Sequence, residues 1–189
     1  MEQEIEHIRK LYPKAKMIGI ADGAKTNWDF LGPHVDEQIL DFYHVTEYLS
    51  QASDAIYGDR QQQRKEWLDG HCSALKHAPD AATQIILELG DIDTGRWSSK
   101  RKEQLTETIR YFRNHQHQMH YARYTDAGWP IGSGITESAC KTLIKQRLCR
   151  SGMRWKQKGA RTILSLRALV LTPQRWSQFW KKIDQYGFS

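Results

Sequence analysis

"KMIGIADGAKTNWDFLGPHVDEQILDFYHV", residues 16–45, holds two short apolar runs separated by a connection that bears Gly and Pro. The first run contains Ile18 and Ile20 and is closed by Asp22-Gly23, so it predicts a buried strand whose last residue is an aspartate. "NWDFLGP" predicts a turn or a single helical turn. "EQILDFYHV" predicts a second short strand ending in Asp41-Phe42-Tyr43-His44. Two strands followed by helices are the pattern of part of an α/β sheet, whose sites gather at the carboxyl ends of the strands. Asp22 and Asp41 would both stand there.

Upstream, "EIEHIRKLY" places Ile5, Ile8 and Leu11 or Tyr12 at helical spacing, with acids early and bases late, and Pro13 ends it. From about 45 to 121 the apolar residues recur every three to four positions with Gly and Pro between the segments, which predicts a bundle of several helices. "RYTDAGWPIGSG" reads as a loop. Ser133 is placed to cap a helix running to about Cys149, with Glu137 in its first turn. "SGMRWKQKGA" breaks the pattern and "ARTILSLRALVLT" resumes it. Pro173 opens a last amphipathic helix whose Trp176, Phe179 and Trp180 are expected to pack as core.

Charge divides the chain sharply. Residues 1–136 hold 16 Lys and Arg against 20 Asp and Glu, whereas residues 137–189 hold 12 against two, and nothing between Glu137 and Asp184 is acidic. Lys141, Lys145, Arg147, Arg150, Arg154, Lys156, Lys158 and Arg161 recur there beside Trp155. Clustered cations displace condensed counterions from phosphates, and an interleaved aromatic can stack on bases, so the pattern points to a nucleic-acid partner. A solvated basic helix face is the bland alternative.

If a helix brought Glu137 alongside Asp22 and Asp41, three acids would converge without an evident Lys or Arg partner. Mutual repulsion would favour a divalent cation, and hard oxygen ligands select Mg²⁺ or Mn²⁺. Beside a polyanion-binding surface, that set suits phosphodiester chemistry by in-line displacement. Taken singly, each acid has a simpler reading: Asp22-Gly23 as a turn, Glu137 as a complement to its helix dipole. His44 follows a strand and could orient Asp41, or be a satisfied structural histidine. In "HQHQMH" only His117 and His120 share a helical face, and no third ligand is evident.

"IADGAKTNWDF", "ILDFYHVTEYL", "PIGSGITESACKTLIKQRLCRSGMRW" and "GARTILSLRAL" together resemble the successive blocks of DDE-type insertion-sequence transposases, especially the bacterial Kra group, over residues 16–183. The resemblance implies a partial ribonuclease H-like α/β fold, with residues 1–44 and 130–189 as catalytic core and 45–129 as an all-α insertion. It matches Asp22 to the second catalytic aspartate and Glu137 to the catalytic glutamate. Asp41-x-x-His44 resembles the C/D-x-x-H step of related transposases, which adds His44 to the catalytic set; Asp41 stays with Asp22 and Glu137 as a candidate metal ligand from the convergence of the three acids. The family's first catalytic aspartate has no counterpart among the residues before Asp22. The expectation is therefore the C-terminal portion of a transposase, inactive alone, whose complete form would use Mg²⁺ or Mn²⁺ to cut and join double-stranded DNA at element ends and target. A non-catalytic DNA-binding remnant or regulator is the alternative. The implied partners are DNA, an upstream transposase segment and further copies in a homo-oligomer.

Cys72, Cys140 and Cys149 form no C-x-x-C pair, so the sequence signals neither a disulfide framework nor a cysteine zinc site. No apolar run approaches the roughly 18 residues of a membrane span, and "MEQEIEHIRK" lacks the order of a signal peptide. A cytoplasmic, nucleoid-associated bacterial protein without membrane contact is the expectation.

Overall fold

The computed structural model describes residues 2–187, with the side chains of 2–4 and 135–137 left undescribed. The chain divides into two compact units, 1–133 and 134–189.

The first unit opens with α1 (Glu2–Leu11), followed by β1 (Ile18–Ala21), α2 (Lys25–Leu31) and β2 (Glu37–Leu40). The strands pair in parallel with Ile18 opposite Glu37 and Ala21 opposite Leu40, as a strand–helix–strand connection requires. A Cβ on Gly19 would lie 3.1 Å from Val35 Cγ1, so the glycine lets the segment entering β2 lie close against β1. Asp36 fastens that entry: it accepts the Met17 N–H at 2.8 Å and Arg9 Nη2 at 3.2 Å. The Met17 bond, with Arg9 beside it, holds the Asp36 carboxyl below the usual carboxylate range.

Five helices follow: α3 (Phe42–Tyr57), α4 (Gln61–His77), α5 (Ala81–Gly90), α6 (Ser99–His115) and α7 (Tyr121–Asp126). They bury one face each around Ile39 and Leu40 of β2. The core joins Phe42, Val45 and Leu49 of α3 to Leu75, Ile85, Leu89, Leu105, Phe112 and Tyr121. Tyr121 is fully buried, stands edge-on to Phe42 at 5.2 Å and donates its hydroxyl to the Leu40 carbonyl at 2.8 Å, so strand and bundle share one interior. Arg101 closes the far end of α3 by donating Nε to the Ala55 carbonyl at 2.6 Å and Nη2 to the Ile56 carbonyl at 3.2 Å.

Two expected boundaries are corrected. The second strand ends at Leu40, and Phe42-Tyr43-His44 is the first turn of α3, because the Asp41 side chain accepts the Tyr43 N–H at 3.0 Å and caps the helix. The segment read as a loop from Arg123 begins helical: α7 continues to Asp126, and the Thr125 hydroxyl ties it to the Lys76 carbonyl of α4 at 3.0 Å.

The second unit comprises α8 (Gly134–Cys140), a π-helical turn at Lys141–Lys145, α9 (Gln146–Leu148), α10 (Gln157–Val170) and α11 (Pro173–Tyr186). The expected single helix to Cys149 is thus interrupted by the wider turn. Arg167 of α10 donates Nε to the Leu143 carbonyl at 2.9 Å and its Nη2 to the Thr142 carbonyl, so this arginine serves packing. Trp176, Phe179 and Trp180 meet one another with ring centroids 5.4–5.8 Å apart. Their expected role as buried core is corrected, since no described residue of α10 or α11 is buried and Trp180 is 41% exposed. Among the described residues no helix is long and apolar enough to cross a membrane.

Candidate functional site

Parallel pairing brings Asp22 and Asp41 to neighbouring carboxyl ends, one residue beyond the paired Ala21 and Leu40. The Asp41 N–H donates to the Ala21 carbonyl at 2.8 Å, extending the ladder into the site. The two carboxylates then have different surroundings.

Asp22 is partly open. Its Oδ1 accepts the Ala24 N–H at 3.0 Å and Asn27 Nδ2 at 2.8 Å, a turn that fixes the carboxylate and starts α2. Its Oδ2 faces His44 Nε2 at 3.9 Å, beyond direct hydrogen bonding. His44 lies in the first turn of α3, with Nδ1 3.0 Å from Glu47 Oε2. The imidazole therefore stands between two carboxylates, and the expected bond from His44 to Asp41 is replaced by contacts to Glu47 and Asp22.

Asp41 is 3% exposed and satisfied by protein donors. One oxygen caps α3 through Tyr43 N–H, and the other accepts the Ser133 hydroxyl. The Phe42 N–H donates to the Ile131 carbonyl at 2.9 Å, so the segment 131–133 lies directly over the cap. Gly132 makes this approach feasible: a Cβ there would meet Tyr43 Cε2 at 2.8 Å and Asp41 Oδ1 at 3.4 Å. Tyr43 itself is 60% exposed at the rim.

The floor is aromatic. Tyr111 of α6 stacks on Tyr48 of α3 at 3.7 Å and 13°, with His115 4.8 Å beyond it. A Cβ on Gly23 would lie 2.8 Å from His115 Nε2 and 2.9 Å from Tyr111 Cε2, so glycine is needed where the Asp22 turn meets α6. Burial first, then Tyr48 and the Asp22 and Asp41 charges, push the Tyr111 phenol far above its ordinary range. Burial pushes the His115 imidazole below its own.

A divalent cation is not fitted by the described donors. Among the described residues no three His, Cys, Asp or Glu side chains gather closely enough to hold one. Asp22 offers Oδ2, whereas Asp41 is 3% exposed and already accepts one hydrogen bond on each oxygen. Glu137 lies in α8 and its side chain is outside the described residues.

The nucleic-acid candidates all belong to the second unit. Lys141, Lys145, Arg147, Arg150, Arg154, Trp155, Lys156, Lys158 and Arg161 are all exposed. Arg150 Nε donates back to the Gln146 carbonyl of α9 at 2.8 Å, and Trp155 Nε1 donates to the Leu148 carbonyl at 3.1 Å, leaving the indole 38% exposed. The cationic heads therefore lack acidic partners among the described residues, and the indole face is accessible.

Sequence reasoning missed Glu47, Asn27, Tyr111 and the Ser133–Asp41 bond. Glu47 was within reach, because positions three apart on a helix face each other. Asn27 was also local, five residues after Asp22, whereas the Ser133 and Tyr111 contacts join distant segments, up to 92 residues apart, and carry no local signal. Comparison of the chain with known protein families, characterised proteins and solved structures gives no match.

Proposed function

We propose that the chain is the part of a DDE-type insertion-sequence transposase of the Kra group that carries the second catalytic aspartate, Asp22, and the catalytic glutamate, Glu137. In this reading residues 1–44 and 130–189 belong to a partial ribonuclease H-like core and 45–129 to its all-α insertion. The basic residues from Lys141 to Arg161 hold duplex DNA, and the complete enzyme cuts element ends and joins them to target DNA as a homo-oligomer in the bacterial cytoplasm. Mg²⁺ or Mn²⁺ belongs to the complete triad, and the chain alone does no chemistry.

The observation that carries the reading is the adjacency of Asp22 and Asp41 at the carboxyl ends of two parallel strands, with His44 beside Asp22. Such strand ends are where α/β sheets place reacting groups. A stretch with no acid between Glu137 and Asp184 supports the DNA partner. A DNA-binding module without chemistry is the second reading, favoured by the protein donors that occupy both oxygens of Asp41.

Duplex binding tests the DNA part of both readings. Asp22→Ala with Glu137→Ala should leave affinity unchanged or slightly raised, since the removed charges repel phosphate. Replacing Arg147, Arg150, Arg154 and Lys158 together with alanine should weaken binding and flatten the plot of log K against log salt, by about 0.9 for each phosphate no longer neutralised. Equal salt slopes for wild type and the quadruple variant would remove the basic segment from the interface.

A further inference from the structure

The two edges of the small sheet differ. In the parallel ladder the Glu37 N–H donates to the Met17 carbonyl at 3.3 Å and the Asp41 N–H to the Ala21 carbonyl at 2.8 Å, with Gly19 opposite Gln38 between them. Met17, Gly19 and Ala21 therefore turn their backbone groups toward β2, and Ile18 and Ile20 turn theirs away from it. On β2 the outward groups belong to Gln38 and Leu40, and the bundle covers them. The Leu40 carbonyl accepts the Tyr121 hydroxyl at 2.8 Å, and the Tyr124 hydroxyl stands 3.5 Å from the Gln38 carbonyl. On β1 no such cover exists among the described residues: the sheet ends there, and no donor or acceptor meets the N–H or C=O of Ile18 or Ile20. A two-stranded sheet with one open apolar edge is a template for a further strand.

That edge is complementary to itself. Outward residues must face outward residues, so an antiparallel copy sets Ile18 opposite Ile20 of the second copy and Ile20 opposite its Ile18, each pair exchanging both backbone hydrogen bonds. Gly19 then faces its own counterpart on the twofold axis. The same register carries Lys16 opposite Asp22 of the second copy. Lys16 is exposed, with its ammonium 5.3 Å above the Trp129 ring. Asp22 is partly open, with Ala24 and Asn27 bound to Oδ1 and neither to Oδ2. An apolar centre thus lies between a cation at one end and an anion at the other, and antiparallel pairing joins the opposite charges twice by symmetry.

We propose that the outer edge of β1 is an interface for a second copy of this chain, formed by antiparallel pairing with Ile18 on Ile20 and Lys16 on Asp22. The result is a closed twofold dimer with one sheet of order β2-β1-β1-β2. Main-chain hydrogen bonds supply the attraction and the flanking charges fix the register. The interface does not rest on the transposase reading, since it uses the backbone of β1 and the sign of two charges.

Sedimentation velocity over a range of concentrations, on the full 189-residue chain without DNA, tests it. Wild type should pass from monomer to dimer as concentration rises. Ile20→Pro removes an N–H that the β1–β2 ladder does not use, so it should abolish the dimer. Ile20→Ala shortens the same side chain but keeps the N–H, and should still dimerise. Circular dichroism confirms that both variants fold. Lys16→Glu should weaken association about tenfold, because two symmetric contacts become repulsive. Lys16→Glu combined with Asp22→Lys should restore it, and this pair decides the matter if Ile20→Pro does not fold. A wild-type chain that stays monomeric, a dimer that survives Ile20→Pro, equal loss with Ile20→Ala, or no rescue by the charge exchange overturns the proposal. No DNA enters these measurements, so their failure leaves the transposase reading to its own assays.

Discussion

Replacing Asp41 with alanine should destabilise the first unit by about 2 to 4 kcal/mol, the sum of a missing helix cap worth about 1 kcal/mol and the stranding of buried partners at about 1 to 3 kcal/mol. The magnitude follows from what the carboxylate holds. It is 3% exposed, it accepts the Tyr43 N–H at 3.0 Å as the cap of α3, and it accepts the Ser133 hydroxyl that fastens 131–133 over the helix start. Asp41→Asn keeps an oxygen for the cap and should cost less than Asp41→Ala. Ser133→Ala removes one partner only and should fall between wild type and Asp41→Ala. Urea unfolding followed by far-ultraviolet circular dichroism reads all three. The sign is the informative part. A carboxylate kept mainly as a ligand beside Asp22 would be a source of repulsion without its cation, and its removal would leave stability unchanged or raised. A loss under about 0.5 kcal/mol for Asp41→Ala, the range of an ordinary surface change, would refute the capping argument.

Gly132→Ala should cost about 1 to 3 kcal/mol as an overpacking change, because the new Cβ would sit 2.8 Å from the Tyr43 ring; Gly132→Ala combined with Tyr43→Ala should recover much of it, and thermal melts of both variants check this. Tyr111 titrates far above its ordinary value of about 10 through burial, so its neutral phenol favours the folded state. Stability from this group is complete below the unfolded value and is lost as pH rises from there toward the folded one, and Tyr111→Phe should reduce the alkaline loss measured by urea titration at several pH values. Trp180→Ala should cost clearly less than the roughly 3 to 5 kcal/mol of a fully buried aromatic, since the ring is 41% exposed, and less than Phe112→Ala in the closed core; parallel denaturation curves decide. Trp155→Ala should leave the melting temperature nearly unchanged while lowering DNA affinity, which a melt and a binding titration on one preparation resolve.

How much of this could be read in advance depended on the range of the interaction. β1 and the Asp22 just beyond it were legible because Ile18 and Ile20 alternate before an Asp-Gly turn, although the strand stops at Ala21 and only Gly19 of it is buried. The end of β2 was not, because Phe42 and Tyr43 suit a strand as well as a helix, and the cap of Asp41 on the Tyr43 amide decides between them. The helical stretch from α3 to α6 showed its periodicity plainly. α7 did not, since six residues give less than two turns of pattern and Thr125 is held by hydrogen bonds to Lys76 and to its own helix. Trp176, Phe179 and Trp180 have core spacing, yet spacing cannot say whether another element covers the face. The strand-end acids were found from sequence. Their differing surroundings were not, because the Ser133 and Tyr111 contacts arise only when distant segments meet.

The proposed function turns on a reaction, so the most direct measurement is DNA nicking by the purified chain. Supercoiled DNA and DNA carrying element ends are incubated with the 189-residue protein in Mg²⁺ or Mn²⁺, alone and with a co-expressed segment supplying the first-strand aspartate of the transposases it resembles. The expected result is binding without cleavage for the chain alone, and cleavage that depends on both Asp22 and Glu137 when the segment is present. Two-metal transfer needs a ligand shared by ions about 3.5 to 4 Å apart, and no third metal-ligating side chain gathers with Asp22 and Asp41 among the described residues. Nicking by the chain alone, abolished by Glu137→Ala, would contradict the proposed function and make Asp41 the third acid.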